Sequence, residues 1–214
     1  MFLKIPRLYD SHTHLLATGE FATGLNLHSL KSAADLKNYS LDNPNYLRSD
    51  WLMGWGWNES SWQDKTMPTK SLLDALSPHR PAFLIRADGH TSWVNSKALE
   101  LLGMQSETGL LLEKDHMQAW DRLPSFTGDQ QKNHILAACR KYNQAGFTHV
   151  RDMTGSESLW QGLSALENSG ELSLAVEENF TVHTMNEFEK MLELALYTRK
   201  HETKLLRSKG IKLF

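Results

Sequence analysis

Three consecutive segments decide the fold: FTHVRDM (Phe147–Met153), ESLWQGLSALEN (Glu157–Asn168) and LSLAVEENFTV (Leu172–Val182). The first alternates with the two-residue period of a half-buried strand. The second carries Leu159, Leu163 and Leu166 at helical spacing and runs up to Gly170, and the third is extended again. A helix from about Asn186 and a strand opening at Gly210-Ile-Lys-Leu-Phe214 continue the alternation. Strands joined through helices this long lie parallel, because a short hairpin cannot return the chain to the same end of the sheet. Two architectures meet that requirement, an α/β barrel and a doubly wound sheet.

The same order is read upstream. A strand around Arg7 to Ser11 precedes Ser32-Ala-Ala-Asp35, where Ser32 is an N-cap candidate and Asp35 holds the capping-box position. WLMGWGW (Trp51–Trp57) is a short apolar strand, Thr69–Leu76 a short helix and Pro81–Ala87 another strand. Ser92–Leu102 reads as a helix closed by Gly103, and Asp129–Ala145 as an amphipathic helix that stops at Gly146. No repeat or obvious linker interrupts the series, so residues 1–214 are expected to form one domain. No helix follows the last strand, and a full eight-unit barrel typically takes about 250 residues. The chain is therefore expected to be cut off in mid-architecture.

At 214 residues and 40% apolar content the chain can bury a sizeable core. Lys plus Arg number 23 against 25 for Asp plus Glu, and a net charge of −2 gives no electrostatic reason for a nucleic-acid or membrane partner. A small-molecule substrate is expected instead. The start MFLKIPRLYD is too short in apolar residues for a signal peptide, and no apolar run reaches the length of a membrane span, so a cytoplasmic protein is expected. The single cysteine, Cys139, excludes an intrachain disulfide and sits at an apolar position of a helical pattern, where a buried structural thiol is expected.

Asp10-Ser-His12-Thr-His14 closes the first strand, and a spacing of two puts both imidazoles on one side of it. Neutral imidazole suits zinc, and in parallel α/β folds sites gather at the carboxyl ends of strands. The spacing alone leaves open metal ligands and ordinary strand-end histidines. Asp88-Gly-His90 is read as a strand-to-helix connection, where His90 could contact a substrate carbonyl or cap the following helix. Alternation places Trp51, Trp55 and Trp57 on one strand face, with Trp57 nearest the carboxyl end and best placed to wall an apolar pocket. Asn95 is read as a structural helix-to-loop hydrogen-bonding residue. Asp152 stands at a strand end, where it could serve a site or cap the following helix. Lys212, in the last strand, points either into a site or to solvent. His28, His79, His116, His134, His149, His183 and His201 receive no role.

These segments together resemble the metal-dependent amidohydrolase superfamily, within its exoenzyme-like (amidohydrolase 3) branch, which includes N-substituted formamide deformylase. The tokens stand in order: DSHTH at Asp10, GWGW at Gly54, PT followed by LD over Pro68–Asp74, RPAFLIRADGHTSWVNSKAL from Arg80, and GFTHVRDM from Gly146. The resemblance implies an incomplete TIM-type (β/α) barrel with parallel strands, truncated before the later strands and lacking the small flanking β domain. It implies His12 and His14 as metal ligands, Lys212 as a lysine carboxylated to bridge metals, and His90 as a substrate contact beside the Trp57 that alternation offers. Asn58 departs from the pattern, since relatives carry an aspartate after this tryptophan. A divalent metal, zinc by ligand type, would activate water to hydrolyse a carbon–nitrogen bond other than a peptide bond, in an amide, formamide or cyclic imide. Further histidines from the fifth and sixth strands and an aspartate general base from the eighth are expected outside this chain. The alternatives are an inactive truncated product, a half-barrel binding or assembly module, and one half of a split enzyme. The expected protein partner is a second copy or a complementing C-terminal half.

Overall fold

In the computed structural model, residues 7–182 and 184–213 are described. Phe214 of the last expected strand, His183, and most of the start MFLKIPRLYD lie outside the described residues.

The elements run β1 (Leu8–Thr13), α1 (Leu15–Thr23), β2 (Leu25–Asn26), β3 (Leu47–Arg48), β4 (Trp51–Trp57), α2 (Lys70–Leu76), β5 (Ala82–Arg86), β6 (Thr91–Val94), α3 (Ser96–Leu102), β7 (Leu110–Leu112) and α4 (Glu113–Asp121). They continue as α5 (Gly128–Gln144), β8 (Phe147–Gly155), α6 (Glu157–Asn168), β9 (Ala175–Val182), α7 (Met185–Lys200) and β10 (Leu206–Leu213). Two compact units result: one from the residues up to Ala22 together with those from Gly128, the other from Thr23 to Thr127. The sequence reading of residues 1–214 as one domain did not draw this division. Its trace in the sequence is the return segment around Pro124 and Ser125, which reads equally well as an ordinary loop.

In the first unit the described strands lie in the order β1-β8-β9-β10, all parallel. Successive strands are neighbours and the order never turns back, which is the winding of a (β/α) barrel and differs from the reversal at the centre of a doubly wound sheet. Four strands do not by themselves close a barrel. One sheet face packs Val150, Val176, Phe180 and Leu206 against Ile135 and Leu163 of the helices. Burying a side chain the size of Phe180, fully enclosed here, contributes about 2–3 kcal/mol. Cys139 lies in this core, and burial pushes its thiol up to about 11, so it packs as an apolar side chain.

The second unit departs from the expected all-parallel pattern. Its strands β2, β4 and β5 are parallel, but β5, β6 and β7 pair antiparallel, and β3 runs antiparallel to β4. The reason is local: only Ala87–His90 separate β5 from β6, too short for a crossover, so TSWV returns as a hairpin strand and the helix starts later, at Ser96. Asn95 sets that boundary. It is 1% exposed, its Oδ1 accepts from Ala98 N (2.9 Å) and Ala82 N (3.0 Å), and its Nδ2 donates to the Ser77 and Arg80 carbonyls, each at 2.9 Å. One side chain thus caps α3, closes the start of β5 and ties down the turn before it, as its structural reading anticipated. Ser32 and Asp35 do form a reciprocal capping box, but on a short 3-10 turn, Ala33–Asn38.

A bulge corrects the tryptophan reading. Trp55 pairs with Ile85 and Trp57 with Arg86, so β4 gains one residue at Gly56, whose φ of +98° suits glycine. The extra residue turns Trp57 to the opposite face from Trp55, where Leu52, Leu84, Trp62 and Trp93 enclose it.

Truncating Asn95 leaves two buried backbone donors and two carbonyls without their partner. Asn95→Ala is expected to cost about 3 kcal/mol or more, whereas Asn58→Ala, which removes one exposed cap to Ser60 N, costs about 1 kcal/mol. Urea unfolding of the two variants measures both.

Candidate metal centre

The carboxyl end of β1 carries the histidine pair. A register shift falls between Asp10, opposite Val150, and Thr13, opposite Asp152, so Ser11 and His12 occupy the length of a single partner residue. Asp10 Oδ1 accepts from His12 N (3.1 Å), which fixes that bulge. Thr13 turns to the helix side and bonds Tyr142 of α5. The chain then enters α1 directly: His14 O accepts from Thr18 N (2.8 Å), and Leu15 N donates to Asp152 Oδ1 (2.5 Å). The His12 and His14 rings end with centroids 5.8 Å apart and planes inclined at 65°. With Zn–N near 2.1 Å, two imidazoles on one tetrahedral ion have centres roughly 5–6 Å apart, so the donor pair fits a shared ion.

Burial lowers the pKa of His14 below the ordinary imidazole value, against an opposing pull from Asp152. The Lys212 ammonium also lowers it, which puts Lys212 within electrostatic reach of His14. The sheet register agrees, since Lys212 pairs with Thr181 near the ends of β9 and β10. A neutral imidazole at neutral pH is the form that binds metal.

Beneath this end, one register row crosses the sheet as Thr13, Asp152, Glu178 and Ser208, all buried. Sequence reading placed Asp152 at a strand end with a cap to the following helix as one option. The structure has it capping α1 instead, while Ser156 Oγ caps α6 through Leu159 N (3.2 Å). Asp152 Oδ2 also accepts from Thr154 N (2.7 Å). Desolvation nonetheless raises its pKa, and burial beside Asp152 raises that of Glu178 well above the usual carboxylate range. Both Asp152 and Glu178 are 0% exposed. Among the described residues neither Glu178 oxygen meets a hydrogen-bond donor, so a bond between the two carboxylates exists only when one holds a proton. Asn179 Nδ2 donates to Asp152 O (3.0 Å) and its Oδ1 accepts from Arg151 Nη2 (2.9 Å). Glu178, Asn179 and Arg151 were not singled out from the sequence. The available signal was an acidic pair inside the otherwise apolar strand AVEENFTV.

The other two candidates belong to the second unit. His90 sits on the β5–β6 hairpin and not on a strand-to-helix loop, which corrects the sequence reading. Its side chain is 63% exposed, with Nδ1 3.2 Å from Glu113 Oε2, and its amide donates to Asp88 Oδ1 (3.0 Å). Arg86 braces the turn, pairing with both Glu59 (2.8 Å through Nε) and Asp88. Trp57 is 0% exposed and its indole donates to Leu84 O (2.9 Å), so this tryptophan is core and does not wall an open pocket. Among the described residues no group of three or more His, Cys, Asp or Glu converges as a metal cage.

The first unit is thus a parallel α/β sheet wound in one direction, with a histidine pair at the carboxyl end of its first strand. The chain belongs to the Amidohydrolase family, whose profile matches residues 4–214. It is 34% identical over 169 residues to Protein LONG AFTER FAR-RED 3 of Arabidopsis thaliana, covering 71% of this chain and 29% of that protein. It is 23% identical to N-substituted formamide deformylase of Arthrobacter pascens, covering 98% of this chain and 44% of that one. Among solved structures, an uncharacterized metal-dependent hydrolase from Pyrococcus furiosus superposes with a TM-score of 0.76 at 27% identity, over 98% of this chain and 44% of its own. The chain thus spans less than half the length of these relatives, matching their N-terminal part.

The carboxylate pair yields a pH test. A raised folded-state pKa means that Glu178 stabilises the fold fully below its unfolded value and loses that contribution as pH rises. Glu178→Gln, the uncharged isostere, is expected to unfold like the parent below about pH 4 and to become the more stable of the two above it, gaining up to about 1 kcal/mol per pH unit. Thermal unfolding across pH 4–8, roughly the span between the carboxylate and imidazole ranges and just beyond, gives the curve. A variant weaker than the parent at the alkaline end would mean that Glu178 is ionised and held by a donor.

Proposed function

We propose that this chain is the N-terminal part of a metal-dependent amidohydrolase acting on carbon–nitrogen bonds other than peptide bonds, in an amide, formamide or cyclic imide. The observation that carries the reading is the His12–His14 pair, 5.8 Å apart at the carboxyl end of β1, in a chain of the Amidohydrolase family. His12 and His14 would hold a divalent ion, and zinc is the ion that imidazole donors favour in a hydrolytic site. Such an ion supplies Lewis acidity that activates water and polarises a carbonyl group.

The roles of the chain's own residues follow from where they stand. Burial keeps His14 neutral and ready to donate a lone pair, and Asp152 fixes its direction by seizing the next backbone N–H, that of Leu15. Lys212, within electrostatic reach of His14, is the residue on which a carbamate would convert a cation into two oxygen donors. His90, an exposed imidazole held through Nδ1 by Glu113 within the second unit, is proposed as a substrate contact on the family resemblance alone. Formamides are the first substrate class to try, since one relative is an N-substituted formamide deformylase.

Two imidazoles and a lysine leave a catalytic ion short of the usual three protein ligands and of a general base. The absence of a third converging His, Cys, Asp or Glu among the described residues favours a second reading for the isolated chain, a metal-binding half-barrel without turnover of its own.

Turnover of N-formyl and N-acyl amines separates these outcomes. The 214-residue chain is expected to show little or none with added zinc. A chain extended through the part of the relatives it does not cover is expected to show robust zinc-dependent turnover, which His14→Ala lowers by about 100-fold or more. Zinc binding should weaken as pH falls through and below the ordinary imidazole range, about 6.5, because the proton then competes for His14. Comparable rates from the short and extended chains would show that other residues form the site.

A further inference from the structure

The amino ends of the four parallel strands, opposite His12 and His14, surround a cavity of about 510 Å³ lined by Arg7, Thr148, His149, Ser173, Ala175, Lys204, Leu205 and Arg207. Three of these side chains are cationic and none is acidic. Carboxylates on the neighbouring segments have partners of their own: Glu177, opposite Arg207 in the sheet, bonds Tyr9 and Lys209, Glu202 accepts from Ser208 N, Glu167 bonds Thr203 and Glu171 bonds Lys132. The cations come from two approaches to the sheet, Arg7 ahead of β1 and Lys204 with Arg207 at the entry to β10, so the fold brings Arg7 beside the β10 pair.

The neutral polar lining is held in place by hydrogen bonds of its own. Thr148 Oγ1 lies 2.9 Å from His149 Nδ1; if the hydroxyl donates there, the imidazole carries its proton on Nε2. Ser173 Oγ accepts from Asn143 Nδ2 (2.6 Å) and turns its own proton to the Cys139 sulfur, so this hydroxyl is fixed in place by the core behind it. The segment carrying Lys204 is fixed by Thr203, whose Oγ1 donates to Glu167 and accepts from Leu205 N and Leu206 N. Like charges held around one cavity repel each other, and an anion between them turns that repulsion into attraction.

We propose that this cavity binds a phosphate group, borne by a small molecule whose apolar part rests on Ala175 and Leu205. Two guanidinium groups and an ammonium, with one N–H or O–H from the Thr148–His149 pair, suit a doubly charged, three-oxygen anion, whereas a carboxylate needs only one arginine fork. The volume exceeds that of a bare ion and falls in the range of small-molecule sites, about 300–1,000 Å³.

Calorimetric titration at constant ionic strength, with inorganic phosphate in one arm and acetate in the other, tests the proposal. Saturable phosphate binding is expected, with acetate weaker by about tenfold. Lys204→Gln and Arg207→Gln, both at exposed positions that the core does not use, should each weaken phosphate by about tenfold. Lys132→Gln, which removes a cation already paired with Glu171, should leave it unchanged. Phosphate binding that is absent, matched by acetate, or indifferent to Lys204→Gln and Arg207→Gln would overturn the assignment.

Discussion

The hydrogen bond from Leu15 N to Asp152 Oδ1 joins the two things the first unit must do at once: pack a helix on its sheet and aim a histidine. Leu15 follows His14, so whatever fixes the first amide of α1 also fixes the imidazole before it. A helix N-terminus carries unsatisfied N–H groups and a partial positive charge, and a carboxylate is the side chain that answers both. Burying that carboxylate is costly, which is why its pKa rises despite the bonds it accepts. Its neighbours in the register row share the task. Thr13 reaches Tyr142 on α5 and Ser208 reaches Ala195 O on α7, so polar contacts from three strands anchor three helices at one level of the sheet.

The second unit solves a similar problem with an uncharged side chain. Asn95 has two donor hydrogens and an acceptor oxygen, and all are used on backbone groups that the β5–β6 hairpin and α3 would otherwise leave unsatisfied. Strands β4 and β5 are buried on both faces, which is why WLMGWGW and PAFLIRA read as nearly unbroken apolar runs. Filling both faces consumed the tryptophans that sequence reading had available for a pocket.

Periodicity made most of the first unit legible. ESLWQGLSALEN is helical from Glu157 to Asn168 as read, and the extended segments fall on β8, β9 and β10. Failures came where one residue outweighed the pattern. Asn95 starts α3 after TSWV has paired as a strand, so a helix read from Ser92 began too early. Gly56 adds a residue to β4, and strict alternation then puts Trp57 on the wrong face. The division into two units was hidden because contacts between the described residues up to Ala22 and those from Gly128 onward are long-range, and local composition carries no record of them. At the candidate centre, DSHTH announced itself through spacing, but the partnership of Asp152 with Glu178 depends on which strands are neighbours, a property of topology.

The central claim is that strand β1 delivers two imidazoles to one ion. X-ray absorption at the zinc edge, on protein loaded with one equivalent of zinc, tests it most directly. The account predicts two imidazole nitrogens at about 2.0–2.1 Å, with the multiple-scattering pattern of the ring, and loss of one of them in His12→Ala and in His14→Ala. A first shell of light oxygen scatterers alone, unchanged in both variants, would contradict it.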